Sequence, residues 1–271
     1  MSVRFYAVPL ALTAVGMGWF GMRTVKAPDF QVQDEWCLDH SARDRGWYCE
    51  VREFGLSAGA IDRVDAGPNG GIQVTGWDRN EISVAVKVEG HARTDATARD
   101  LVSEVEIATS GPTLRAQGPR TERRESWSVS YRLSVPREYD LSLSTTNGGI
   151  SIEEVAGDLE FRATNGGVTL RGVGGDVRGH TTNGGLRVEL AGAEWVGAGL
   201  DARTTNGGVR LVIPDGYNAV LESGTTNGRM NIDFPITVSG RIDRRIHTEL
   251  GQGGALVKVV TTNGGVVISR R

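Results

Sequence analysis

One pentapeptide limits what this chain can become. Thr145-Thr146-Asn147-Gly148-Gly149 recurs as Ala163-Thr164-Asn165-Gly166-Gly167 and as Thr181-Thr182-Asn183-Gly184-Gly185. It returns as Thr204-Thr205-Asn206-Gly207-Gly208, Thr225-Thr226-Asn227-Gly228-Arg229 and Thr261-Thr262-Asn263-Gly264-Gly265. An outlying copy is Pro68-Asn69-Gly70-Gly71. From Asn147 the asparagine-to-asparagine steps are 18, 18, 23, 21 and 36 residues. The last step reads as two units, with Gly251-Gln252-Gly253-Gly254 as a diverged turn and Asn263 at the end of the array. A fixed period near 20 residues marks a stacked repeat, because one short unit cannot bury its apolar face alone.

Each copy leads into a short alternating strand, such as Ile150/Ile152, Val168/Leu170, Leu186/Val188/Leu190 or Val209/Leu211/Ile213. A second turn and strand follow, as in Val155-Ala156-Gly157-Asp158 and then Leu159/Phe161/Ala163. Two or three strands per unit fit one coil of a β-solenoid, with coils about 4.8 Å apart. Stacked asparagine amides can then bond along the stack, as in cross-β ladders. The expected ladder is Asn147, Asn165, Asn183, Asn206, Asn227 and Asn263, with stacked threonines beside it. Asn-Gly also suggests a positive φ. The fold class is therefore all-β, a single-chain β-solenoid over residues 141–271. An antiparallel β-meander of Asn-Gly hairpins is the alternative, since Asn-Gly is also the strongest hairpin signal. Faithful repetition of the preceding Thr-Thr favours the solenoid.

Residues 51–140 are β-rich and less regular, with Ile82/Val84/Val86/Val88 and Trp127/Val129/Tyr131/Leu133/Val135 alternating. Thr94–Ser103 reads as one short helix capped by Thr94 or Asp95. This region starts and caps the solenoid, whose end would otherwise be an unpaired sheet edge.

Residues 1–27 stand apart as a signal peptide or N-terminal membrane anchor. An apolar run of 18 residues, Phe5–Met22, lies between Arg4 and Arg23/Lys26, with no acid in the segment. Export follows, to the periplasm or cell envelope, with membrane contact through residues 1–27 if they are retained. Residues 28–50 form an acidic linker that holds Cys37 and Cys49. Two cysteines in an exported chain are expected to pair in a disulfide loop.

The balance of 30 Lys+Arg against 33 Asp+Glu argues against nucleic acid, which needs a concentrated basic face. There is no nucleotide-binding glycine loop, zinc-protease motif or nucleophile elbow. The histidines at 40, 91, 180 and 247 are scattered, and His180 stands where Thr or Arg stands in other copies. No catalytic residue, cofactor or metal ligand is assigned. The candidate binding surface is Trp195, Tyr217, Arg241, Arg244 and Arg245, with Arg120, Arg123 and Arg124 as a second loop cluster. Arginine forks engage carboxylate or phosphate, so a glycan or an anionic envelope polymer is the partner this surface suits. A glycan-processing β-helix enzyme is the less favoured reading.

The ordered set of motifs resembles a family of bacterial envelope proteins, the DUF4097 or toast-rack family of β-strand-repeat proteins regarded as adhesins. The resemblance rests on the export segment, Trp36-Cys37 with Tyr48-Cys49-Glu50-Val51-Arg52-Glu53, and Asn69-Gly70-Gly71-Ile72 through Gly76-Trp77-Asp78. It extends to Trp127-Ser128-Val129-Ser130-Tyr131, Val135-Pro136, the TTNGG copies and Ile213-Pro214-Asp215-Gly216-Tyr217. It implies a stacked β fold in an adhesive or scaffolding envelope protein, and brings no catalytic residues.

Overall fold

A computed structural model describes residues 35–38, 46–234 and 244–271. The segment 1–27, His40 and Arg241 lie outside the described residues. Among the described residues no helix is long and apolar enough to cross a membrane.

Each asparagine copy is one coil, and each coil gives one strand to each of two ten-stranded sheets. The strand before the turn is the longer one. Leu141–Asn147, Ala156–Asn165, Gly174–Asn183, Gly199–Asn206 and Leu256–Asn263 lie side by side, all parallel, followed by Ala219–Asn227. The strand after the turn is shorter. Ile150–Glu153, Val168–Arg171, Leu186–Glu189, Val209–Ile213, Val266–Arg270 and Met230–Ile232 form the parallel body of the second sheet. Parallel pairing across every Asn-Gly turn excludes the hairpin meander and shows a β-solenoid.

The alternating pattern explains the interior. Leu141, Leu143, Leu159, Phe161, Val177 and Leu200 on the long-strand sheet are at most 2% exposed. Ile150, Ile152, Val168, Leu170, Leu186 and Val188 face them from the other sheet, equally buried. Phe161 pairs in register with Gly179, and a Cβ on Gly179 would lie 2.6 Å from the Phe161 ring. One large side chain thus fills two coils.

The region 51–140 continues both sheets. Arg63–Asp65 pairs parallel with Leu141–Asn147, and Ile72–Trp77 pairs parallel with Ile150–Glu153. It therefore supplies the first coil, with Asn69 at its turn. Ser126–Pro136, Glu81–His91 and Trp47–Ser57 then extend the short-strand sheet, the last two antiparallel. The helix Asp95–Ser103 packs here, with Thr94 Oγ1 accepting from Thr97 N as its cap. Cys37 and Cys49 are bonded, with their Cα atoms 5.8 Å apart.

The order of coils corrects two expectations. The coil of Asn263 does not end the stack: it lies between the coils of Asn206 and Asn227. Among its described residues the 36-residue step also holds no second stacked unit. Arg245–Leu250 pairs antiparallel outside Ala219–Asn227 and covers the edge of the long-strand sheet. Gly251–Gly254 is the connection back into the stack, at the end away from the asparagines. A step of two units and an inserted coil give the same spacing, so spacing alone does not separate them.

The turn glycines are required for a reason other than the expected one. None of the six repeat asparagines has a positive φ. The first glycine of each copy lies hard against the coil beneath. A Cβ on Gly148, Gly166, Gly184, Gly207, Gly228 or Gly264 would come within 1.8–2.1 Å of a glycine carbonyl oxygen in the next coil. The second glycine is under no such pressure: a Cβ on Gly185 would be 3.6 Å from Gly208 O. Arg229 occupies this second position in the end coil. We expect Gly184→Ala to destabilise by about 3 kcal/mol or more through overpacking. Gly185→Ala should stay within about 1 kcal/mol. Urea unfolding of both variants checks the contrast, and equal losses would contradict the stacking account.

Candidate interaction surface

The asparagine edge is a one-way hydrogen-bonded ladder. Asn147 Nδ2 donates to Asn69 Oδ1 at 3.1 Å. Asn165 donates to Asn147 and Asn183 to Asn165, each at 2.8 Å. Asn206 donates to Asn183 at 2.9 Å, then Asn263 to Asn206 and Asn227 to Asn263 at 2.8 Å. The outlying copy at Asn69 is therefore part of the ladder. The threonine stack differs from the expected one. Oγ1 of Thr145, Thr181, Thr204 and Thr261 donates to the glycine carbonyl of the neighbouring coil, at 2.7–2.8 Å, and not to another threonine. The second threonine of each copy faces out.

Asn183→Ala removes one donated and one accepted bond, whereas Asn227→Ala removes one. At about 0.5–1.5 kcal/mol per bond, Asn183→Ala and Asn263→Ala should cost about 1–3 kcal/mol and Asn227→Ala about half that. Urea melts of the three variants decide it. Asn263 behaving as the end of the stack would refute the inserted coil.

The predicted aromatic surface is not a surface. Trp195 is 6% exposed, and its Nε1 donates to Gly175 O at 3.0 Å. Tyr217 is 3% exposed, and burial pushes its phenol up to about 12. Both close the core at the turn opposite the asparagines. In sequence each looked like a lone aromatic in a loop, which does not reveal that it points inward. Arg120, Arg123 and Arg124 lie on an exposed loop, apart from the others. Arg244 and Arg245 do reach the outer face of the long-strand sheet. Arg244 Nη1 donates to Thr226 O at 2.8 Å, and the Arg245 side chain crosses Gly224, whose Cβ would lie 2.6 Å from Arg245 Cγ.

Outward side chains on that face fall into columns that the register defines. One column alternates in charge: Glu160, Arg178, Asp201, Lys258, Glu222. Lys258 Nζ meets Glu222 Oε1 at 2.6 Å. The next column, three residues before each asparagine, reads Ser144, Arg162, His180, Arg203, Val260, Gly224. The third is Thr146, Thr164, Thr182, Thr205, Thr262, Thr226. Arg203 grips Asp201 with two bonds, at 2.7 and 2.5 Å. That grip, helped by the charges of Lys258 and Arg178, holds the Asp201 carboxyl below the usual range.

The short-strand sheet presents the opposite face. There Arg171 bridges Glu153 and Glu189 at 3.3 and 3.1 Å. Arg187 Nε donates to Glu189 Oε1 at 2.6 Å and is the main cause of a lowered Glu189 pKa. A shallow trough of about 500 Å³ runs over Gly167, Gly185, Gly208 and Gly265, beside Thr169, Arg187 and Arg210. Depressed carboxylates stabilise above their unfolded values of about 4. That contribution is lost as the pH falls through the lower folded values. The urea midpoint should therefore drop below about pH 4, and the drop should be smaller in the double variant Glu189→Gln/Asp201→Asn.

Residues 137–269 match the model of a family described as Toastrack DUF4097. No curated protein matches the chain. Among solved structures, it is similar to a putative cell adhesion protein from Clostridium sporogenes ATCC 15579. The identity is 9%, with 83% of this chain and 100% of that one covered, at a TM-score of 0.43. It is similar also to a putative adhesin from Bacteroides fragilis NCTC 9343, at 11% identity, 83% and 97% coverage and a TM-score of 0.36. A putative lipid binding protein from Parabacteroides distasonis ATCC 8503 follows at 10% identity, 82% and 96% coverage and a TM-score of 0.33.

Proposed function

We propose, for a chain whose repeat region, residues 137–269, belongs to the Toastrack DUF4097 family, a non-catalytic role in the cell envelope as an exported adhesive or scaffolding protein. One observation carries this reading. The turn asparagines, and the inward threonines of four coils, are used on the coil above or below. The asparagine amides bond to one another and the inward threonine hydroxyls to glycine carbonyls. They stiffen the stack instead of converging on a substrate. The surface available for contact is two long sheet faces, which suits lateral attachment to an extended partner.

Export is part of the proposal. The apolar run Phe5–Met22 with its flanking cations supports it, as does the Cys37–Cys49 bond, which belongs in an oxidising compartment. Beads coated with the exported protein should retain isolated envelope fragments, and envelope glycans incubated with it should keep their length on size-exclusion chromatography. Failure to retain fragments would sink the adhesive reading. Shortened glycan would make the protein an enzyme.

A further inference from the structure

The column of Arg162, His180 and Arg203 is anomalous for a sheet built only to be stable. The column beside it places opposite charges in register from strand to strand, from Glu160 through Arg178, Asp201 and Lys258 to Glu222. That is the arrangement cross-strand pairing favours. Yet Arg162, His180 and Arg203 occupy neighbouring in-register positions. Among the described residues, neither Arg162 nor His180 makes an ion pair or a side-chain hydrogen bond. Arg162 stands on the outer face between the buried Phe161 and Ala163, and His180 stands in register beside it.

Three further features align with this line. Arg203 is held in place by its two bonds to Asp201. Arg245 pairs in register with Gly224 and lays its Cγ against it, which sets an arginine beside the same column two coils beyond Arg203. Arg244 is fixed beside it on the Thr226 carbonyl. Val260 is the uncharged gap between them. On the side toward the turn runs the column of outward threonine hydroxyls, and then the asparagine edge. The site is thus a line of arginines with the His180 imidazole among them, in register across coils about 4.8 Å apart, interrupted at Val260 and bordered by hydroxyl and amide groups.

We propose that this line binds a linear acidic polysaccharide lying along the stack axis, with its carboxylates on Arg162, His180, Arg203 and Arg245 and its hydroxyls on the threonine column. The assignment rests on the adhesive reading above and names its partner class. Two features select this partner. A flat anionic membrane would meet Glu160, Asp201 and Glu222 together with the cations, whereas a single chain following the basic line meets only Asp201, whose charge Arg203 already balances. Polyphosphate can only accept from the threonine hydroxyls, whereas sugar hydroxyls both donate to and accept from them.

Affinity electrophoresis of the full chain through gels containing polygalacturonate, dextran or polyphosphate tests the assignment. Flotation with phosphatidylglycerol vesicles is the membrane arm. The expected result is retardation by polygalacturonate alone, and affinity at least about tenfold weaker in Arg162→Gln/Arg245→Gln. At about 1.4 kcal/mol per decade, that is the loss of one or two charge-assisted contacts. Arg187→Gln/Arg210→Gln, on the opposite sheet, should bind as the parent does. The altered side chains are exposed, and a urea melt of each variant confirms folding. Should the double variant fail to fold, Arg245→Gln alone supplies the comparison.

Equal binding by parent and Arg162/Arg245 variant would overturn the proposal, as would stronger binding to polyphosphate or vesicles. Retention of envelope fragments with no affinity for polygalacturonate would also overturn it and leave the adhesive reading intact. Loss of both would overturn the two together.

Discussion

The structure depends on how closely one coil can approach the next at the asparagine turn. The first glycine of each copy allows backbone to lie on backbone, and any Cβ there would meet a carbonyl oxygen in the neighbouring coil. That approach fixes the register of the whole coil. With the register fixed, asparagine falls on asparagine, threonine reaches the glycine carbonyl, and apolar residues stack in columns inside. A slip of two residues would keep apolar residues inside and lose the side-chain bonds between coils. The glycines are therefore the origin of the ladder, and the ladder is a consequence of them.

Register also decides what the outer faces can present. Side chains three residues before successive asparagines are brought side by side though 18 or 23 residues separate them in sequence. Any property written once per repeat becomes a line on the surface. The alternating column and the basic column lie next to each other on one sheet, and only one of them satisfies its own charges. The scaffold thus separates two tasks. Positions facing in and at the turn maintain the stack, while outward positions other than the second threonine vary from copy to copy without disturbing it.

Much of this was legible in the sequence. The TTNGG copies indicated parallel coils, the ladder asparagines and the outlying copy at Asn69. Thr94 marked the helix, and Cys37 and Cys49 marked their own bond. Other features had no local signal. The 36-residue step between Asn227 and Asn263 was ambiguous because spacing counts residues and not the order in which strands pair. Trp195 and Tyr217 were misread as exposed because burial at the end of a sandwich depends on which loop folds over it. Positive φ was expected of Asn-Gly because that is its use in isolated turns. Here stacking between coils, a tertiary constraint, is what demands glycine. The basic column was half visible, since His180 stands where other copies carry arginine, but its meaning needed the register.

The placing of the coil of Asn263 has a consequence for assembly in time. Leu256–Asn263 and Val266–Arg270 stand between strands that precede them in the chain. The long strands of the Asn206 and Asn227 coils do not pair with each other, and this later strand stands between them. A chain emerging from its N-terminus can stack coil on coil as far as Asn206 and then must stop. The Asn227 coil and its antiparallel cover have to wait, unseated, for residues that follow them. The last segment acts as a keystone, and closure of the stack reports that the repeat region has arrived in full.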